Sequence, residues 1–318
     1  MTGQTMTAKQ KQHTGIGGVI REFVMNKHLY LMLLPGVIWF IIFCYMPLYG
    51  IAVAFKKYDF GLGIWGSPFV GLDNFKFLFT YDGIGRVFFN TIYLNVLFLV
   101  STTLISVVLA IMFSELKSKW FKRVTQSIAI LPHFISWAVV SMVLQAFVGI
   151  NGLINQSLRA LGMSTISFYN EPGVWPLIFV VLRIWQGCGF GTVTYIAAIT
   201  GFDTSMYEAA KVDGATRFQQ IMHITLPLLR PTIVILTIMG VGGIFRGDFG
   251  MIYAMVHDTS KLFPTTDVID TFVYRALRQM NDLGMSTATS VFQSVVGCIL
   301  VVATNALAKK LDPDTALF

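Results

Sequence analysis

Long apolar segments alternate with polar connections along this chain of 318 residues. Each apolar segment has about 20 residues or more, the length of helix that crosses the hydrocarbon core of a bilayer. The polar connections between them allow successive segments to turn back across the membrane. The pattern predicts an all-α membrane protein with six transmembrane helices, at residues 29–55, 88–113, 124–149, 174–200, 232–256 and 288–307.

Composition agrees with a membrane location. Hydrophobic residues make up 55% of the chain and charged residues 12%, with a mean hydropathy of +0.67, whereas soluble domains carry roughly 25% charged residues. The net charge of +7 does not indicate nucleic-acid binding, because Lys and Arg follow the predicted topology. Thirteen lie on the side of the two termini and eight on the other side. The positive-inside rule therefore predicts that both termini and residues 201–230 are cytoplasmic.

This topology predicts three parts. Residues 1–28 form a cytoplasmic N-terminal segment, residues 29–308 form the six-span domain, and residues 309–318 form a cytoplasmic tail. Pro35 and Pro47 in the first span predict helix ends or kinks, because proline lacks a backbone donor.

A polar segment at residues 203–230 separates the fourth and fifth spans. Ser205 and Glu208 have the spacing of a capping box, which predicts a helix start at Ser205. Asp213 and Gly214 predict a turn, since glycine adopts a left-handed conformation without steric cost. Apolar residues at helical spacing follow until Pro227, which predicts a helix end. The expected structure is two short helices joined at Gly214.

The same segment carries a longer motif. It consists of Glu208-Ala209-Ala210, three further residues, Gly214, nine further residues, and then Ile224 and Leu226-Pro227. At this spacing it resembles the permease subunits of binding-protein-dependent ABC importers. The resemblance implies that this loop is the coupling element, which docks on a cytoplasmic ATPase. The coupling residues would be Glu208, Ala209, Ala210, Asp213, Gly214, Ile224, Leu226 and Pro227.

The resemblance extends over most of the chain from about Tyr30 onward. Residues 33–36 and 71–75 are similar to carbohydrate-uptake permeases of the maltose type, and residues 268–275 and 293–297 to the branch that serves oligosaccharides and polysaccharide fragments. The run at residues 246–250 departs from other carbohydrate permeases. The resemblance implies a bacterial cytoplasmic membrane protein with several partners: a second, paralogous permease or a second copy of this chain, two cytoplasmic ATPase subunits and an extracytoplasmic solute-binding protein.

Three charged residues, Arg183, Arg246 and Asp248, lie within predicted spans. A charge at bilayer depth is costly, so it usually faces a cavity or a partner. Aromatic and amide side chains, which suit sugar rings and hydroxyls, lie nearby. Two interpretations remain open: a saccharide path, or an Arg–Asp pair and aromatic packing that hold helices together. The residues predicted for the path are Trp185, Gln186, Arg246, Asp248 and Tyr253.

Several kinds of chemistry are missing from the sequence. No phosphate-binding loop of the type Gly-x-x-x-x-Gly-Lys-Ser/Thr occurs, so ATP and Mg²⁺ are expected on the partner ATPase and no cofactor in this chain. The glycine run at residues 187–191 lies inside a span, which favours close helix packing or local unwinding of the helix over nucleotide binding. No catalytic or metal-ligating constellation is present. The alternative to the importer is an ion-coupled secondary sugar transporter, which would have inverted repeats and acidic residues at the midplane.

Overall fold

A computed structural model describes residues 24–80 and 83–311. Most of the predicted N-terminal segment and of the C-terminal tail therefore lies outside the described residues. The secondary structure of these residues consists of helices, apart from one isolated antiparallel β-bridge between Lys56 and Phe69. Six helices are long and apolar enough to cross a membrane, which confirms the predicted fold class. Their bounds are Lys27–Phe55, Ile84–Glu115, Trp137–Ala160, Pro172–Thr200, Arg217–Val241 and Leu283–Lys310.

Two units divide the chain between Val53 and Ala54. The first unit contains helix α1 (Lys27–Phe40), which continues through a π turn at Ile41–Tyr45 into a 3₁₀ helix, Met46–Phe55, whose last two residues belong to the second unit. Pro35 lies inside α1 and does not end it. Neither Pro35 nor Pro47 therefore ends the helical run.

The second unit is organised around two long helices. These are α3 (Ile84–Glu115) and the helix of the fourth span. A shorter helix, α2 (Asp73–Thr80), precedes α3 in the chain. At about 1.5 Å per residue, the 32 residues of α3 are long enough to cross the hydrocarbon core and extend beyond it. One side of α3 is buried, whereas the apolar side chains of Phe89, Val100 and Leu104 are exposed. Lipid would cover such a surface, which a water-soluble fold would bury.

The predicted third span, residues 124–149, is broken at Pro132. Helix α4 (Lys119–Ile130) is followed by a 3₁₀ turn at Leu131–Phe134 and then by α5 (Trp137–Val148). Ser136 caps α5 by accepting a hydrogen bond from the Val139 amide. The break is possible because neighbouring side chains take up the backbone groups that a continuous helix would pair.

The fourth span, α7 (Trp175–Thr200), follows the short helix α6 (Leu153–Ala160) and packs against both α3 and the broken third span. Gln186 of α7 donates a hydrogen bond to the Ile135 carbonyl, 3.0 Å away, in the break. A Cβ atom at Gly189 would lie 1.8 Å from the Ala129 carbonyl oxygen. The glycine run therefore serves close packing, as predicted, and α7 continues through it without unwinding.

The fifth span begins earlier than predicted. After α8 (Thr204–Val212), the chain forms α9 (Arg217–Gln220), a π turn at Ile221–Thr225 and α10 (Leu226–Val241). These three pieces make one continuous helical run, so the second helix of the polar segment is the start of the span itself.

Pro227 does not end that helix, which corrects the prediction. A proline ring clashes with the carbonyl four residues before it in an α-helix. Here the π turn at Ile221–Thr225 lies two residues before Pro227, and the turn at Ile41–Tyr45 has the same spacing to Pro47. The wider turn accommodates the proline and lets the helix continue.

The predicted end of the fifth span is also wrong. The helix stops at Val241, and after a turn at residues 242–248 the separate helix α11 (Phe249–Val256) begins. Helix α12 (Ile269–Met280) and the sixth span α13 (Leu283–Leu311) complete the chain. The fifth span begins next to α8 and ends at Val241, so helix α11, which follows that end, and helix α12, which packs against α11, lie at the opposite end of the second unit.

Candidate functional site

The polar segment between α7 and α10 begins at an N-cap that the sequence did not single out. Asp203 caps α8, and its Oδ1 accepts a hydrogen bond of 2.9 Å from the Ser205 amide. The predicted capping box of Ser205 and Glu208 is therefore wrong, because the N-cap is Asp203, two residues earlier. Hydrogen bonding to the Ser205 side chain, and then to the Ser205 amide, lowers the pKa of the exposed Asp203 carboxyl, since both stabilise the charged form.

The turn after α8 is a complete Schellman motif. The Ala215 amide donates to the Ala210 carbonyl at 2.9 Å, and the Gly214 amide donates to the Lys211 carbonyl at 3.2 Å. Gly214 has a φ of +80°, a backbone angle that residues with a Cβ atom rarely adopt. The predicted turn at Asp213-Gly214 is confirmed, and the motif explains why glycine is needed there.

The helix after the turn has its own cap. Thr216 Oγ1 accepts from the Gln219 amide at 3.3 Å, while the Thr216 amide donates to Gln219 Oε1 at 2.7 Å. The Tyr207 hydroxyl and Thr225 Oγ1 lie 3.0 Å apart, which joins α8 to the π turn. These contacts hold the two arms of the segment at a fixed angle. We name residues 203–227 the coupling segment.

The coupling segment presents a mixed apolar and polar surface. Glu208 and Ala209 are exposed, and so are Val212 and Phe218, at 87% and 71%. Val212 and Phe218 were not predicted as coupling residues, although large apolar residues in a polar segment indicate a contact surface. Exposed apolar groups rimmed by polar ones mark an interaction surface.

The motif residues gather at two depressions on this surface. A cavity of about 400 Å³ is lined by Ala210, Asp213, Gly214 and Ile224, together with the three polar side chains of Gln219, Gln220 and His223. A second cavity, of about 350 Å³, is lined by Leu226 and Pro227. Glu208 and Ala209 line neither cavity.

The residues predicted for the saccharide path divide into three groups. The first is an ion pair: Arg183 Nη1 lies 2.7 Å from Asp248 Oδ2, with side chains 38% and 24% exposed. Asp248 also caps α11, since its Oδ1 accepts from the Met251 amide at 3.0 Å. The pair therefore joins the fourth span to the helix beyond the fifth, as one of the two interpretations predicted.

The second group lies at the break in the third span. A cavity of about 330 Å³ opens there, lined by Arg183, Gln186 and several hydroxyl side chains of α3 and α7. His133 stacks on Phe190 at its edge, with ring centroids 4.3 Å apart. Gln186 is buried and bonded to the Ile135 carbonyl, while Trp185 is 45% exposed and is not among the lining residues. The sequence missed the hydroxyl lining, which consists of Thr102, Thr103, Ser106, Thr194 and Tyr195.

The third group surrounds the turn at residues 242–248. Arg246 is exposed and donates to Ser294 Oγ at 3.4 Å. The neighbouring Gly247 amide donates to Asp270 Oδ2 at 2.5 Å, and Gln293 donates to the same oxygen at 3.0 Å. Burial raises the pKa of the Asp270 carboxyl, and these donors partly offset the shift. Tyr253 belongs to an aromatic cluster on α11 and α12, with Phe249 and Tyr274.

We expect Arg183 and Asp248 to show a measurable coupling energy. Asp248→Asn keeps a good N-cap while removing the charge, and Arg183→Met leaves Asp248 unpaired. Each single variant should lower the thermal stability of the purified protein, and the double variant should recover about 1 kcal/mol of the summed loss, because the pair is partly exposed. Additive losses in this double-mutant cycle would show that the pair contributes nothing.

A family match, similar sequences and similar solved structures all identify the chain as a transport permease. Residues 102–316 match the family described as the binding-protein-dependent transport system inner membrane component. The polygalacturonan/rhamnogalacturonan transport system permease protein YteP of Bacillus subtilis (strain 168) is 39% identical over 297 residues, covering 92% of this chain and 91% of YteP. Protein LplB of the same organism is 36% identical over 290 residues, covering 91% of each chain.

A solved structure shares the fold. One chain from the crystal structure of a bacterial ABC transporter involved in the import of the acidic polysaccharide alginate is 34% identical, with a TM-score of 0.82 over 92% of this chain and 99% of that one. The same level of identity and a TM-score of 0.80 are found for a chain of a bacterial alginate ABC transporter in complex with a periplasmic protein that holds an alginate pentasaccharide. With its six apolar helices, the present chain is a multi-pass membrane protein and belongs to the family of inner membrane components of binding-protein-dependent transport systems.

Proposed function

We propose that this chain forms half of the translocation pore of an ATP-driven importer for oligosaccharides or polysaccharide fragments. The observation that carries the proposal is the coupling segment: a rigid, exposed element at one end of the spans, with the family motif on its surface. Because its relatives are transport proteins, we propose that this chain carries a saccharide across the membrane and catalyses no reaction itself.

The energy for transport would come from partner subunits. Two cytoplasmic ATPase subunits would bind ATP and Mg²⁺, and the groove of one would receive the coupling segment. Val212 and Phe218 supply exposed apolar contacts for that docking, and Glu208 supplies a charge. Since α9, the π turn and α10 form one continuous helical run, movement of the docked segment would be transmitted directly into the fifth span.

The substrate proposal rests on relatives and on the lining of the cavity. Polygalacturonan, rhamnogalacturonan and alginate are the saccharides named for them. The cavity of about 330 Å³ offers hydroxyls, one amide and one guanidinium beside the stacked rings of His133 and Phe190. Such a lining suits the hydroxyls and apolar faces of a sugar. An extracytoplasmic solute-binding protein would deliver that sugar to the outer end of the spans.

The orientation follows from charge. The excess of Lys and Arg on the coupling-segment side supports a cytoplasmic location for that segment and for both termini. A single cysteine at residue 160 or 265 should react with a membrane-impermeant maleimide added to intact cells, whereas one at residue 215 should react only after permeabilisation. External labelling at residue 215 would invert the topology.

Native mass spectrometry of the detergent-solubilised assembly tests the proposed composition. We expect one copy of this chain, one paralogous permease and two ATPase subunits, because an ATPase dimer offers two docking grooves and this chain has one coupling segment. Two copies of this chain with two ATPases would retain the importer and replace the paralogue with a homodimer. A lone chain without an ATPase would favour the ion-coupled secondary transporter.

A further inference from the structure

A second group of sugar-compatible side chains lies at the end of the second unit opposite the coupling segment. Phe249, Tyr253 and Tyr274 form a compact aromatic cluster, in which each pair of ring centroids lies 4.8 to 5.0 Å apart. Phe249 and Tyr253 are stacked with an interplanar angle of 13°. Each ring is only partly buried, so the cluster keeps accessible aromatic surface.

A small cavity adjoins this cluster and shares Phe249 and Tyr274 with it. Its volume is about 190 Å³, below the about 300–1,000 Å³ of pockets that enclose drug-sized ligands, which suits one sugar ring. Its lining also includes Ser286, Ser290 and Gln293 of α13 and Asp270 of α12. This cavity shares no lining residue with the one at the break in the third span.

Positive charge flanks the same place. The Arg278 guanidinium lies 5.8 Å from the centroid of the Tyr274 ring and is exposed. Among the described residues, no carboxylate lies within ion-pair distance of Arg278. Asp270 is the one carboxylate in the lining, and its charge is offset by two N–H donors and by the attraction of Arg246.

We propose that this group, the outer aromatic site, binds one uronate ring of an acidic saccharide. The aromatic rings would take the apolar face of the sugar, Ser286 and Ser290 would take its hydroxyls, and Arg278 would pair with the carboxylate. A guanidinium presents a planar pair of donors that matches a carboxylate. The site would then hold a ring at the outer end of the spans before it enters the pore. This inference rests on the proposed function.

The test is photolabelling of the reconstituted complex with a tetragalacturonate that carries a photoreactive group. Mass spectrometry should locate the label on Phe249–Val256 and Ile269–Met280, and unlabelled tetragalacturonate should compete for it. Arg278→Gln should weaken this competition about tenfold, the least expected for loss of a charge-assisted hydrogen bond. The same variant should leave binding of the carboxyl-reduced, neutral tetrasaccharide unchanged. Tyr274→Ala should weaken binding of both probes, and Tyr274→Phe should preserve both.

Arg159→Gln is the matched control, because Arg159 is an exposed arginine on α6 that lines neither cavity. It should leave the labelling unchanged. Label found only outside α11, α12 and residues 286–293 of α13, or equal loss of both probes in Arg278→Gln, would overturn the outer aromatic site. Saccharide uptake by the same proteoliposomes separates the two proposals. Uptake without label at this site would contradict the outer aromatic site alone. Label at this site without ATP-driven uptake would contradict the importer alone.

Discussion

Replacing Gly214 with proline should abolish ATP-driven uptake while the protein still inserts and assembles. Proline fixes φ near −65°, whereas Gly214 has a φ of +80° and its amide donates to the Lys211 carbonyl. The substitution therefore breaks the Schellman motif that sets the angle between the two arms of the coupling segment. We expect uptake by proteoliposomes of the reconstituted complex to fall by more than about tenfold, which corresponds to about 1.4 kcal/mol of coupling.

Gly162 is the matched control for this variant. It has a φ of +69° and lies in a second Schellman motif, at the end of α6, with the Met163 amide donating to the Leu158 carbonyl at 2.9 Å. At both glycines, the position that a Cβ would occupy has no neighbouring atom within 4 Å, so Gly162→Pro imposes the same backbone change away from the coupling segment. Uptake at the wild-type rate in Gly214→Pro, or an equal loss in both variants, would reject the coupling role.

Adding one methyl group at Gly189 should disrupt the pairing of the third and fourth spans. A Cβ at this position would lie 1.8 Å from a backbone oxygen of Ala129, and a backbone cannot move aside as a flexible side chain does. Overpacking of this kind typically costs about 1–3 kcal/mol or more. The Gln186 hydrogen bond to the Ile135 carbonyl would be strained by the same displacement. Gly189→Ala should therefore lower the melting temperature and the yield of assembled complex.

Gly187→Ala provides the comparison within the same helix. No atom lies within 4 Å of a Cβ at Gly187, and alanine favours a helix over glycine by about 1 kcal/mol. This variant should therefore be as stable as the wild type or slightly more stable. The measurement is the fraction of protein that still elutes as the intact assembly in size-exclusion chromatography after heating. If both alanine variants melt together with the wild type, the close approach of the two spans is not needed for stability.

The number of spans could be predicted from sequence because apolar length is a strong and local signal. The start of the fifth span could not be predicted, because a proline normally ends a helix. The π turn just before Pro227 allows the helix to continue through it. Asp203 and Ser205 are both good N-cap residues two positions apart, and sequence alone offers no way to choose between them. The turn at Gly214 was predictable because positive φ favours glycine so strongly.

The arrangement of the charged residues depended on contacts far apart in sequence. Arg183 and Asp248 lie 65 residues apart, and the Gly247 amide reaches Asp270 on a different helix. The sequence indicated that the charges in the predicted spans needed partners, and the Arg–Asp pair was one of the two interpretations. Gln186 was predicted for the path on its chemistry; it lines the cavity at the break in the third span, and its hydrogen bond to the Ile135 carbonyl also joins the two spans. The polar lining of α3 was missed because single Ser and Thr residues in a span carry no distinct pattern.

The most direct test of the account compares two energy sources for saccharide uptake by proteoliposomes. One preparation contains the complete assembly with ATP on the side of the ATPase and the solute-binding protein on the other; the second contains this chain alone under a proton or sodium gradient. We expect accumulation of tetragalacturonate only in the first preparation, and none when ATP is replaced with a non-hydrolysable analogue. Accumulation by the lone chain, driven by the gradient without ATP, would contradict the account and establish a secondary transporter.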